Sequence, residues 1–193
     1  MLRWVLLLAL LAGFAKTAGA HPHVFIEHRV TLQFDEAGLQ ALRVEWTFDE
    51  LYSASLIADF LERKRIAPTP AQVKAIEQQA FANAEQVNYF LVLKLDDLPA
   101  KVAHHRDFAV ELDGAKVRYR FVVPVAAANA KRLVVNALDD QWFIDFFPAK
   151  AEPIRFEGAD RHKVDCDMTT EPQKTVLGTV DTQVAACRWS ANP

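Results

Sequence analysis

Two histidines flank a proline at His21-Pro22-His23, directly after the small-residue triplet Ala18-Gly19-Ala20. Cleavage after Ala20 would give His21 a free α-amine. Such an amine has a pKa of about 7.7–8.0, so it can deprotonate near neutral pH and ligate a metal. The amine and imidazole of His21 close one chelate ring, and His23 offers a second imidazole. Nitrogen donors of this kind suit Cu, Ni, Co and Zn. A square-planar site built on deprotonated backbone amides is excluded, because Pro22 has no N–H to give up. Two or three ligands make a weak site, so carboxylates must help. Asp49 and Glu50 are the nearest by position, at the end of the second expected strand. The same acidic pair would also cap a helix and suit its dipole, and sequence alone leaves both roles open.

The other chemistry-bearing residues carry less. His28 falls among apolar residues of an alternating run and is expected to face the core, hydrogen-bonded. His104 and His105 are neighbours beside Arg106 and Asp107, expected to point oppositely and to be exposed. His162 sits in a charged turn. Asp145 is an acid inside the aromatic run Trp142 to Phe147, which is expected to be core, and a buried acid needs a partner or a metal. Asp139 and Asp140 read as ordinary turn residues. There is no G-x-S-x-G, phosphate loop or H-E-x-x-H, and six glycines make a Gly-rich nucleotide site improbable.

These residues must be held by a body the composition can build. The chain has 193 residues, 51% of them hydrophobic, which is ordinary globular composition and enough for a self-sufficient core. The net charge of −3, with no Lys/Arg block, argues against a nucleic-acid or anionic-membrane partner. Residues 1–20 read as a secretory signal peptide: Arg3, an apolar run from Trp4 to Phe14, then Ala18-Gly19-Ala20. The alternative is an uncleaved anchor, although the run is shorter than the ~20 apolar residues a span needs. The expected mature protein is a single periplasmic domain, residues 21–193, with no membrane anchor. Cys166 and Cys187 are the only cysteines. In an oxidising compartment they most simply pair, and closing that loop stabilises by roughly 3 kcal/mol. The alternative is a pair of metal thiolates.

Periodicity then supplies the elements. His23 to Phe34 alternates, with Val24, Ile26, His28, Val30, Leu32 and Phe34 on one face. Asp35-Glu36-Ala37-Gly38 signals a turn, and Leu39 to Phe48 reads as the return strand of an antiparallel hairpin. From Asp49 to Lys64 the spacing becomes helical. Thr69-Pro70-Ala71-Gln72 is a capping box with Pro at the first helical position, opening a second helix to about Val87. Strand-like runs follow at Tyr89–Leu95, Phe108–Leu112, Lys116–Val125, Arg132–Leu138 and Trp142–Phe147, with shorter ones at Ile154–Phe156 and Val184–Trp189. The expected class is α+β: an antiparallel, β-rich two-layer body with an inserted helical pair packed on a sheet.

The secretory segment followed by His21-Pro22-His23-Val24-Phe25-Ile26, and then Trp46-Thr47-Phe48-Asp49-Glu50-Leu51-Tyr52-Ser53, resembles the domain-of-unknown-function 1007 family. The resemblance covers essentially the whole mature chain. It implies a periplasmic component of an ABC-type transport system, working beside nickel/cobalt-type membrane transporters. One departure is evident. Many relatives carry an acidic, calcium-loop-like stretch between the helices, where this chain reads Glu62-Arg63-Lys64-Arg65-Ile66-Ala67-Pro68-Thr69, so no calcium site is expected. The expectation is a non-enzymatic, divalent transition-metal-binding accessory protein with a membrane metal permease or ABC-type transporter as partner. The ligands would be His21, His23, Asp49 and Glu50, and the ion Ni, Co, Zn or Cu. The alternatives are a structural or assembly partner of a membrane complex without metal, and a copper-brace oxidative enzyme.

Overall fold

The computed structural model describes residues 23–62, 66–127 and 129–192. The expected signal peptide, its cleavage point, His21 and the three cations Arg63 to Arg65 lie outside the described residues.

The first hairpin forms as its alternation requires. β1 (Val24–Asp35) pairs antiparallel with β2 (Gly38–Phe48), with Ile26 opposite Phe48 and Asp35 opposite Gly38. The inward face of β1 is buried from Val24 to Phe34, and Leu42, Val44, Trp46 and Phe48 are buried beside it. The outward face is polar, as one solvated side of a sheet should be. Arg29 reaches Glu45 at 3.0 Å, and Arg43 pairs with Glu157.

Two helices follow. α1 (Glu50–Phe60) starts where Asp49 caps it, the carboxylate accepting the N–H of Tyr52 at 2.9 Å. Ser53 ties it to the sheet by accepting the N–H of Val117 at 2.9 Å. α2 (Pro70–Ile76) opens with the expected capping box between Thr69 and Gln72. It does not run to Val87. A π-turn spans Glu77–Phe81 and a 3-10 segment spans Ala82–Phe90. The reason is packing. Ile76 and Phe81, five residues apart, are both buried while Ala80 is exposed, and a π-turn stacks residue i+5 beneath i.

The remaining strands are β3 (Leu91–Leu95), β4 (Leu98–Ala100), β5 (Arg106–Asp113), β6 (Lys116–Pro124), β7 (Arg132–Ala137), β8 (Ile144–Pro148), β9 (Ile154–Glu157), β10 (His162–Thr175) and β11 (Gly178–Ala191). One sheet has the order β5-β6-β2-β1-β8, with β9 also on β1; the other runs β10-β11-β7-β3-β4. The body is therefore β-rich with two sheets and few helices, as expected in outline. It departs from the antiparallel expectation at one edge, where β8 and β9 run parallel to successive halves of β1. Between them the chain bulges outward, and the Arg29 guanidinium donates to the carbonyls of Ala151 and Glu152, both at 3.0 Å.

One apolar core joins the layers. It contains Phe34, Trp46 and Phe121 of the first sheet, Leu56, Ile76 and Phe81 of the helical segment, and Leu93, Leu133 and Trp189 of the second sheet. The expected disulfide is present, Cys166 to Cys187, joining residues directly opposite each other in β10 and β11.

Candidate functional site

The hairpin register decides what stands near the start of β1. The N–H of Asp49 donates to the carbonyl of Phe25 at 2.9 Å, and the N–H of Phe25 donates to Asp49 Oδ2, also at 2.9 Å. Asp49 is thereby held beside the first residues of β1 while its Oδ1 caps α1. Glu50 is exposed in the first turn of that helix. The N–H of His23 donates to the carbonyl of Phe143 at 2.9 Å, and the two rings lie 4.9 Å apart. Three of the four expected ligands, His23, Asp49 and Glu50, thus belong to one end of the first sheet, and the fourth, His21, is outside the described residues. Both oxygens of Asp49 already accept backbone N–H groups, so its capping role is observed. Among the described residues no group of three His, Cys, Asp or Glu has metal-holding geometry.

A cavity of about 730 Å³ opens at this same end, between the first sheet, the 80–90 segment and the 138–144 loop. Trp46, Phe48 and Tyr119 line it from the sheet. Phe81 and Phe90 line it from the helical side, and Tyr52 and Phe143 complete the lining. Phe143 also touches His23, so the cavity neighbours the expected metal-binding end. The helical wall is pinned by polar contacts. Asn88, Tyr89 and Phe90 all have positive φ, between 53° and 55°, a region that Asn adopts more readily than Tyr or Phe. Asn88 supplies part of the pinning, donating to the carbonyl of Leu91 at 2.6 Å and accepting the N–H of Val102 at 3.0 Å. The Tyr89 hydroxyl accepts the N–H of His105 at 3.0 Å.

That last contact corrects an expectation. His105 is not exposed on a strand; its side chain is 8% exposed, its Nε2 lies 2.8 Å from Glu77 Oε1 and its Nδ1 lies 3.1 Å from the Tyr89 hydroxyl. His104 is exposed, as expected, and pairs with Glu85 at 2.8 Å. His162 is also buried, opening β10 with its Nε2 2.7 Å from the carbonyl oxygen of Asp35. His28 faces the core as expected, but its Nδ1 finds no hydrogen-bond partner among the described residues, and burial pushes its pKa down to about 4. Asp139 is more than a turn residue: buried, it accepts the N–H groups of Gln141, Phe143 and Ile144 and shapes the loop that edges the cavity. The aromatic run is only half core, since Phe143 and Phe147 are exposed. Burial raises the pKa of Asp145.

The fold and site define a β-rich, two-sheet protein with an aromatic cavity beside the start of its first strand. The chain belongs to the family described as "Protein of unknown function (DUF1007)", whose family model matches residues 6–183. No curated protein matches it. Among solved structures it is similar to AChBP from Bulinus truncatus, at 12% identity over 98% of this chain and 99% of that chain, with a TM-score of 0.40. A likeness that low carries no argument about function.

Proposed function

We propose that this protein is an exported, periplasmic accessory protein that presents a divalent transition metal at its processed N-terminus to a membrane transporter. The observation that carries the reading is the juxtaposition at the start of β1. His23 stands two residues before Phe25, whose N–H donates to Asp49 Oδ2, and Glu50 follows Asp49 into solvent. The donors are the amine and imidazole of His21, the imidazole of His23 and the exposed carboxylate of Glu50. Asp49 positions the end and retains a free lone pair on each oxygen. The metal is cargo in this reading, and the permease or ABC-type transporter is its source or acceptor.

The experiment compares protein beginning at His21 with protein retaining Ala20, each titrated with nickel, cobalt, zinc and copper and read by intact mass and calorimetry. One extra residue removes the amine from chelating position and leaves both imidazoles intact. The His21-terminated form is expected to bind markedly more tightly, with affinity falling steeply from about pH 8 to pH 6 as protons compete for the donors. His23→Ala should weaken binding, and His104→Ala, at an exposed histidine on another element, should not. Equal affinity of the two N-terminal forms overturns the amine's role. Unchanged affinity in the His21→Ala/His23→Ala variant overturns the site.

A further inference from the structure

The aromatic cavity has a composition that the metal reading does not use. Seven aromatic side chains line it, and among the described lining residues there are two carboxylates, Asp139 and Asp140, and no Lys, Arg or His. The carboxylate of Asp139 is spent on three backbone N–H groups, whereas Asp140 is exposed at the edge. Ring faces carry negative potential, and a cation over them is attracted most when it is desolvated. A carboxylate at the mouth adds to that field and opposes an anion.

Trp46 and Tyr119 both line the cavity and are 3% and 2% exposed, so their rings are held in its packed wall. The walls are also fixed in advance: the Asn88 and Tyr89 contacts hold the helical side, and Asp139 holds the loop. A largely preformed, mostly apolar cavity with a few convergent polar groups is the usual form of a small-molecule site.

We propose that this cavity binds a small organic cation, an ammonium group carried on an apolar or aromatic body, with the body against Trp46, Phe48 and Tyr119 and the charge toward Asp140. The proposal does not rest on the metal reading, since none of the lining residues is an expected metal ligand.

The test uses three probes with one body and three charges: 4-phenylbutylamine, 4-phenylbutanol and 4-phenylbutyrate, titrated by calorimetry at pH 7 without added metal. The amine is expected to bind most tightly and the carboxylate least, with at least about a ten-fold gap between them. Val87→Arg places a cation at an exposed lining position and should weaken the amine about ten-fold while leaving the melting temperature unchanged. Asp140→Asn should weaken it by a smaller factor. Ala80→Trp, at an exposed lining position, should reduce binding of all three probes by occupying space. A carboxylate that binds as tightly as the amine overturns the charge assignment. Amine affinity unchanged in both Val87→Arg and Ala80→Trp overturns the location, and no heat from any probe at millimolar concentration overturns the site.

Discussion

The cavity end and the β10–β11 hairpin solve opposite problems with the same chain. The hairpin is regular: fourteen pairs run unbroken from His162 opposite Ala191 to Thr175 opposite Gly178. Most of its side chains are exposed, and only Ala185 to Arg188 pair onward to β7. Its order comes from backbone hydrogen bonds, cross-strand neighbours and the Cys166–Cys187 bond. The cavity end is irregular: a π-turn, three successive left-handed residues and a parallel edge broken by a bulge. Its order comes from packed rings, with Phe121 lying 4.8–5.5 Å from Phe81, Trp46 and Tyr89. Backbone irregularity costs free energy and persists only where surrounding contacts over-determine it. The difference is that the cavity end keeps an irregular backbone which its ring packing must hold in place. The two regions touch where the hairpin turn meets the cavity mouth, Val176 N–H donating to the carbonyl of Asp140 at 2.9 Å.

The largest effect should come from the ring cluster. Phe121 is fully buried, and Phe121→Ala leaves a cavity that rigid neighbours cannot fill, costing about 3–5 kcal/mol. Urea unfolding checks this. A loss below about 1 kcal/mol would show that the cavity end is loosely packed, and the contrast with the hairpin would fail.

Opening the disulfide should cost less. Replacing both cysteines by serine releases a loop whose closure is worth roughly 3 kcal/mol in the unfolded chain, and engineered or strand-paired bonds often return less than that figure. The expected loss is about 2 kcal/mol, with the amine affinity of the cavity unchanged. Thiol labelling of the unfolded, unreduced wild type should find no free thiol. A loss larger than that of Phe121→Ala would invert the comparison and make the bridge, rather than the rings, the main constraint.

The hairpin β1–β2, the Asp49 cap, the Thr69 capping box and the cysteine pair are legible in the sequence because each is a local signal: a period of two, a capping residue, an isolated pair in an oxidising compartment. β10 is not legible, because both of its faces are largely exposed and its residues show no apolar alternation. The π-turn is hidden because Ala80 and Phe81 are both apolar, and only the depth of the core under Phe81 decides which is buried. The cavity is hidden for another reason: its rings come from β2, α1, β6, the helical wall and the 138–144 loop, which only tertiary structure brings together. The burial of His105 and His162 depends likewise on partners far away in sequence, Glu77 and Asp35.

The last effect vanishes near neutral pH, grows only in acid, and comes from a buried histidine. His162, at the hairpin, and His28, beside Phe146 and opposite Trp46 in the register, each have a buried Nδ1 with no hydrogen-bond partner among the described residues, and His162 Nε2 lies 2.7 Å from the Asp35 carbonyl oxygen. Burial alone lowers the His28 pKa from 6.5 to about 4. The unfolded chain therefore takes up a proton as pH falls through 6.5, and the folded chain does not until about 4. Stability must rise with pH across that interval, because the unfolded state binds more protons there. Relative to pH 7.5, the loss should be about 2 kcal/mol at pH 5 and level off near 3 kcal/mol below pH 4. His28→Leu removes the titrating group and keeps an apolar side chain at the position, so its stability should be flatter between pH 6.5 and 4 by that amount, whatever its value at pH 7.5. Unfolding free energies of wild type and variant at several pH values measure the difference. Parallel curves would mean that His28 is protonated in the fold as readily as in the unfolded chain.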